Sequence, residues 1–167
     1  MKKIYISGSL RNPNVPLVAA ALREDGHIVF DDWYAAGPGA DDAWKAYEEA
    51  QGFSLAEALN RPAALHVLDF DRKWLGWADT TILVMPAGKS GHMELAYQLG
   101  RGMEGHILFP EISGARWDVM YGLAKGVWDS LEDLREHLKA GSFEGAARKD
   151  LFAGDLVHPP WWDEPHS

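Results

Sequence analysis

The chain has 167 residues, 47% of them hydrophobic, and carries 25 acidic against 16 basic residues for a formal net charge of −9. That length suits one domain able to bury a core unaided, while the absence of cysteine excludes disulfides and thiolate metal sites. The acidic balance disfavours a nucleic-acid backbone as partner, no apolar run is long enough to span a bilayer, and the apolar run before Gly8 is too short for a signal peptide. A soluble, cytoplasmic protein with no nucleic-acid or membrane partner is expected.

Ile4-Tyr5-Ile6 reads as the first strand. Asn14 is expected to cap a helix from Val15 to Asp25, with Pro16 tolerated in its first turn and Gly26 as the stop. His27 to Phe30 then reads as the second strand, and the sequence from Ala40 to about Ala78 turns helical, broken at Gly52 and near Asn60-Arg61-Pro62. Thr80 to Met85 makes the third strand and feeds a helix that carries Glu94 in its first turn and stops at Gly100 or Gly102. A fourth strand is expected from Gly105 to Phe109 and a fifth near Gly126-Val127-Trp128, and Ser130 caps the last clear helix. This alternation predicts an α/β fold, a Rossmann-like (flavodoxin-like) and mostly parallel five-stranded sheet flanked by helices, over residues 1–140. Residues 141–167 read as an irregular or docking tail, and no internal repeat is present.

Two loops carry chemistry. Ser90-Gly91-His92-Met93-Glu94 follows an apolar strand, at the carboxyl edge where open α/β sheets keep their ligand crevice, which makes Glu94 the lead candidate. A first-turn carboxylate also complements a helix dipole, a purely structural role. Ser7-Gly8-Ser9-Leu10-Arg11-Asn12 follows the first strand: a glycine that lets backbone approach a ligand, with a hydroxyl and a guanidinium two residues apart, forms a plausible anion pocket. It has neither the P-loop spacing nor a GxGxxG fingerprint, so nucleoside triphosphate hydrolysis and dinucleotide binding are not supported. The seven histidines are scattered, with no HExxH pair, and no metal or other cofactor is expected.

Four segments, in their order and spacing, resemble the nucleoside 2-deoxyribosyltransferase superfamily, including its nucleotide N-hydrolase branch. They are Ile4-Tyr5-Ile6-Ser7-Gly8-Ser9-Leu10-Arg11, Asp71 through Asp79, the apolar third strand, and Gly91-His92-Met93-Glu94-Leu95, within a resemblance running from Lys3 to His137. It implies that Glu94 attacks the anomeric carbon of a nucleoside to form a glycosyl ester, released to water or to a second base, as in retaining glycosidases. By the same resemblance Asp71 orients the substrate or protonates the departing base, a task suited to a raised pKa, and Tyr5 steadies the nucleophile by a hydrogen bond. Asp79, at the far end of the strand, reads as a capping residue.

Ser9 and Arg11 match positions that bind a 5′-phosphate in the hydrolase branch, beside Gly8, and Ser90 and Gly91 would add a hydroxyl and a backbone donor. Asp32, Trp33 and Tyr34 fall where the family contacts the base. His92 replaces the small residue common two positions before the glutamate and is a candidate proton shuttle or substrate contact. The acid frequent in that loop in transferases is absent from Ala87-Gly88-Lys89-Ser90, and the transferases' C-terminal asparagine has no match. A small-molecule nucleotide or nucleoside is therefore the expected partner, in a homodimer with shared sites to which Trp117, Met120 and Tyr121 could contribute. Base exchange between deoxynucleosides, or nucleotide binding without catalysis, are the alternatives.

Overall fold

The computed structural model describes residues 1–110 and 117–140. Five strands form one parallel sheet in the order β2-β1-β3-β4-β5: β1 (Lys3–Ser7), β2 (Ile28–Phe30), β3 (Thr80–Val84), β4 (Glu104–Leu108) and β5 (Gly126–Trp128). The helices are α1 (Asn14–Glu24), α2 (Ala40–Ala50), α3 (Leu55–Ala58), α4 (Pro62–Trp77), α5 (Lys89–Gly100) and α6 (Leu131–Ala140), with short 3-10 turns at Asp32–Ala36 and Val119–Leu123. The strand order is the doubly wound, flavodoxin-like one expected from the sequence, and its direction reverses between β1 and β3. The predicted tail at 141–167 lies outside the described residues. Among the described residues no helix is long and apolar enough to cross a membrane.

The two-residue period of a strand explains how β1 serves both faces. Ile4 and Ile6 enter one core with Val15, Val18, Leu22, Ile82, Val84, Leu134 and Leu138, under α1 and α6. Tyr5 points to the other side, into a cluster with Phe30, Leu75 and Ala78 beneath α4. Each fully buried aliphatic side chain contributes roughly 1.5–3 kcal/mol, so the strand is pinned in register and its alternate positions are fixed in direction.

Several boundaries differ from expectation for identifiable reasons. Asn14 is the first helical residue and does not cap; Pro13 stands before it, and the buried Asn12 takes the role, its Oδ1 accepting the Asn14 N–H at 3.0 Å. His27 lies outside β2, its backbone N–H donating to the Leu22 carbonyl of α1 at 3.2 Å rather than into the sheet, while its Nδ1 accepts the Lys2 N–H at 3.2 Å. Met85 lies past β3, while β4 begins one residue earlier than expected, at Glu104, and ends at Leu108. Ser130 does cap α6, accepting the Asp133 N–H at 3.2 Å. Asp79 behaves as the capping residue foreseen, accepting from the Lys3 N–H at 3.1 and 3.2 Å and from the Thr80 hydroxyl at 2.9 Å.

Candidate functional site

α5 begins at Lys89, earlier than its polar start suggests, so Glu94 is its sixth residue and no acid occupies the first turn. This corrects the first-turn position and removes the helix-dipole explanation, which fades beyond one turn. The buried residues of α5 are Gly91, Leu95 and Gln98, and Glu94, three after Gly91 and four before Gln98, lies on that same sheet-facing stripe. Gly91 lets the helix press onto β1: a Cβ there would stand 2.9 Å from Leu83 Cδ1, 3.1 Å from the Gly8 carbonyl oxygen and 3.2 Å from Ser7 Oγ. Gly8 is equally confined, since a Cβ would meet Val15 at 2.8 Å.

The carboxylate is held at both oxygens. Tyr5 donates its hydroxyl to Glu94 Oε1 at 3.3 Å, and Ser7 donates to Oε2 at 2.5 Å. Tyr5 and Ser7 share a face because they are two apart on a strand, so one buried side of β1 supplies both donors. Sequence reading missed Ser7, although its spacing from Tyr5 was the signal that could have found it. Asn12 was also missed: its Nδ2 donates to the carbonyls of Val84 (3.1 Å) and Pro86 (3.2 Å), tying the β1–α1 loop to the β3–α5 loop across the switch point.

Asp71 comes from α4, on the same helix face as Trp74 and the buried Leu75. Burial pushes its carboxyl up to about 6. Burial also pushes Glu94 up, to about 7, against the lowering effect of the Ser7 hydrogen bond; the negative charge of Asp71 raises it further and the Tyr5 hydrogen bond lowers it. Asp71 therefore ionises first and its charge delays Glu94, which places the two acids close enough to interact. Burial, then the charges of Glu94 and Asp71, drives the Tyr5 phenol far above its usual range, so Tyr5 stays a donor.

The other sequence candidates are less convergent. Trp33 packs against both cores and donates its indole N–H to the Ile6 carbonyl at 2.8 Å, which gives it a structural role at the rim of Gly8. Tyr34 meets Trp33 edge-on at 5.8 Å between centroids, and Asp32 is exposed. Arg11 is exposed and paired with Asp42 of α2 at 2.6 Å, while Ser9 Oγ accepts the Arg11 N–H at 3.2 Å. Ser90 is exposed at the start of α5. His92 is engaged by other partners: its Nδ1 lies 2.7 Å from the Gly88 carbonyl, which must accept, and its ring stacks on Tyr121 with centroids 5.9 Å apart. Trp117 and Met120 are exposed, at 85% and 60%.

Among the described residues, the potential metal ligands Glu104, His106 and His137 lie together. Trp128 donates its indole N–H to His106 Nδ1 at 3.1 Å, so the ring proton sits on Nε2 and points at Glu104, 2.9 Å away. Lys2 and Lys125 hold the other Glu104 oxygen at 3.0 and 2.6 Å. With that tautomer fixed and two cations adjacent, the cluster reads as a lock between β4, β5 and α6. A hollow of about 560 Å³ opens nearby at the amino edge of the sheet, but its charged groups Lys2, Asp79, Glu104 and Lys125 already have partners.

No family model matches the chain. A 70-residue segment is 37% identical to an uncharacterized metal-dependent hydrolase of Methanocaldococcus jannaschii; the segment is 41% of this chain and spans only 27% of that relative. A 2-deoxyribosyltransferase from the psychrotolerant bacterium Bacillus psychrosaccharolyticus superposes with a TM-score of 0.53 at 18% identity, covering 79% of this chain and 89% of that one. The resemblance read from the sequence is thus borne out at the level of the fold: the chain is built on the architecture of a 2-deoxyribosyltransferase.

Proposed function

We propose that the chain is an N-glycosidase that cleaves the base–sugar bond of a (deoxy)nucleoside 5′-monophosphate through a glycosyl-Glu94 intermediate. The observation that carries this reading is the half-buried Glu94 carboxyl, gripped by Ser7 and Tyr5 and interacting with a second acid, Asp71, at the topological switch point.

In the reaction an oxygen of ionised Glu94 forms a bond to the anomeric carbon as the carbon–nitrogen bond breaks. The bonding pair leaves with the base, which takes a proton from Asp71. Water then attacks the anomeric carbon, Asp71 recovers a proton from it, and Glu94 departs as carboxylate. The competent form keeps one proton on the pair, on Asp71 with Glu94 ionised; because Asp71 ionises first it is the minor of the two singly protonated arrangements, and both arrangements peak together between about 6 and about 7. A bell-shaped kcat/KM centred between about pH 6 and 7 is expected.

Ser9, Arg11, Ser90 and the Gly91 backbone would take the 5′-phosphate beside Gly8; the rim formed by Asp32, Trp33 and Tyr34 would meet the base, and His92, its ring stacked on Tyr121, would contact substrate. Two copies of the chain would share these sites, with the exposed Trp117 and Met120 at the contact. The test is chromatographic analysis of products from ribo- and deoxyribonucleoside monophosphates and their nucleosides, with and without a free acceptor base, beside Glu94→Ala. Base release that the variant abolishes supports the hydrolase; acceptor-dependent nucleoside formation replaces it with a transferase. Tight binding without turnover, indifferent to Glu94→Ala, leaves a nucleotide-binding module.

A further inference from the structure

Ser7 is fully buried at the end of β1, and its single hydroxyl proton has two acceptors: Glu94 Oε2 at 2.5 Å and the Gly91 carbonyl at 3.1 Å. Both acceptors belong to α5, one turn apart, so the hydroxyl stands between helix backbone and carboxyl. We propose that Ser7 is a switching donor that holds Glu94 in its ionised state and in one orientation, turning its proton to the Gly91 carbonyl whenever the carboxylate charge is lost. This deepens the N-glycosidase reading and rests on it only for the kinetic consequence.

The chemistry of the hydroxyl supports the switch, since it can donate one bond and accept others. When Glu94 is ionised, both its oxygens are pure acceptors and Ser7 donates to Oε2. When Glu94 carries a proton on Oε2, that proton can point at Ser7 Oγ, and Ser7 donates to Gly91 instead. When the sugar is bound as an ester, the charge on the carboxyl is gone and the Gly91 carbonyl again competes for the proton. No buried donor or acceptor is orphaned in any of the three states, which avoids the cost of an unmade hydrogen bond under cover. Tyr5, at the longer 3.3 Å, steadies the opposite oxygen without competing for the same partner. The glycine at 91 is part of the device, because a Cβ there would stand 3.2 Å from Ser7 Oγ and crowd its second acceptor position.

The experiment is a pH titration of the Glu94 side-chain carboxyl by carbon NMR on the full chain, its resonance assigned by loss in Glu94→Gln, compared among wild type, Ser7→Ala and Ser7→Cys. Removing the donor raises the Glu94 midpoint by about one pH unit, the size expected of one hydrogen bond to a charged group. Ser7→Cys refills the volume with a weak donor and keeps most of that upward shift, which a packing role would not predict. In turnover, the alkaline limb of kcat/KM, which follows the second ionisation of the pair and belongs chiefly to Glu94, moves to higher pH by the same amount. A Ser7→Ala midpoint equal to that of wild type, or full return of the wild-type midpoint in Ser7→Cys, overturns the proposal. Absence of turnover on every nucleotide would remove the N-glycosidase reading, and the titration would still decide the role of Ser7.

Discussion

Glu94 was legible as a single residue because a glutamate soon after the glycine-bearing stretch that follows an apolar strand stands out; its neighbours were less so. Ser7 was passed over inside a loop read for Ser9 and Arg11, and its two-residue spacing from Tyr5 gains its meaning when Glu94 of α5 arrives 2.5 Å away. Asp71 was found by resemblance, and its burial explains why it differs from the exposed Arg72 and Lys73 beside it. The Asp71 charge raises the Glu94 midpoint, so Asp71→Asn is expected to lower that midpoint in a carboxyl titration while slowing base release most around the optimum and abolishing the alkaline fall, where the wild-type donor has already lost its proton. Arg11 is the residue whose sequence role and observed partner differ most. Its pairing with Asp42 joins two exposed groups, 64% and 74% accessible, and such a pair is weak and easily exchanged for a phosphate. Isothermal titration should find Arg11→Ala weakening nucleoside monophosphate binding by roughly 10- to 100-fold with little effect on the nucleoside. Equal losses for both would remove Arg11 from the phosphate site.

At the scale of elements, the alternation of strands and helices was readable from hydrophobic pattern alone, and so was the parallel sheet. What pattern could not supply is the distance between α4 and α5, because that depends on side chains bonding to the backbone of another helix. Gln98, fully buried, donates to the Leu75 carbonyl at 2.8 Å, and Arg101 donates to the same oxygen at 3.2 Å and to Gln98 Oε1 at 2.8 Å. Leu75 lies in the last turn of α4, whose carbonyls lack partners within the helix. Gln98 thus caps α4 from α5 and thereby sets how far Asp71 stands from Glu94. Replacing it by Leu keeps the bulk but leaves the carbonyl dependent on Arg101 alone. Chemical denaturation should show a loss of about 1–3 kcal/mol, and the two limbs of the pH profile should move together as the coupling between the acids weakens. Gly91→Ala tests the other contact of α5: with backbone at 3.1 Å in the way, α5 must shift off β1, and a comparable destabilisation of about 1–3 kcal/mol is expected.

For the whole molecule, the buried charges pull stability in opposite directions along the pH axis. Asp25, at the end of α1, accepts from Arg135 at 2.6 and 2.8 Å and pairs with Lys139 at 2.8 Å, fastening α6 to the core. Chiefly through the Arg135 hydrogen bonds, its carboxyl is held well below the usual carboxylate range. That contribution is present above the ordinary aspartate value near 3.8 and is lost as pH falls below it. Glu94 and Asp71 act with the other sign. Their folded values, about 7 and about 6, lie above the ordinary 4.5 and 3.8, so the fold favours their protonated forms. The cost of ionising them is absent at about pH 4 and fully present above about pH 7. The thermal stability of the protein should therefore be greatest at about pH 4 and fall as pH rises towards about 7, the range in which the proposed reaction needs Glu94 charged. Glu94→Gln removes the larger of the two costs, which the shift to about 7 puts at roughly 3 kcal/mol. Its melting temperature should exceed that of wild type by roughly 6–12 °C at about pH 8, with the gap closing by about pH 4. A gap that is the same at both pH values would mean that Glu94 is ordinary surface acid, and the site would then lose the strained carboxylate on which its chemistry depends.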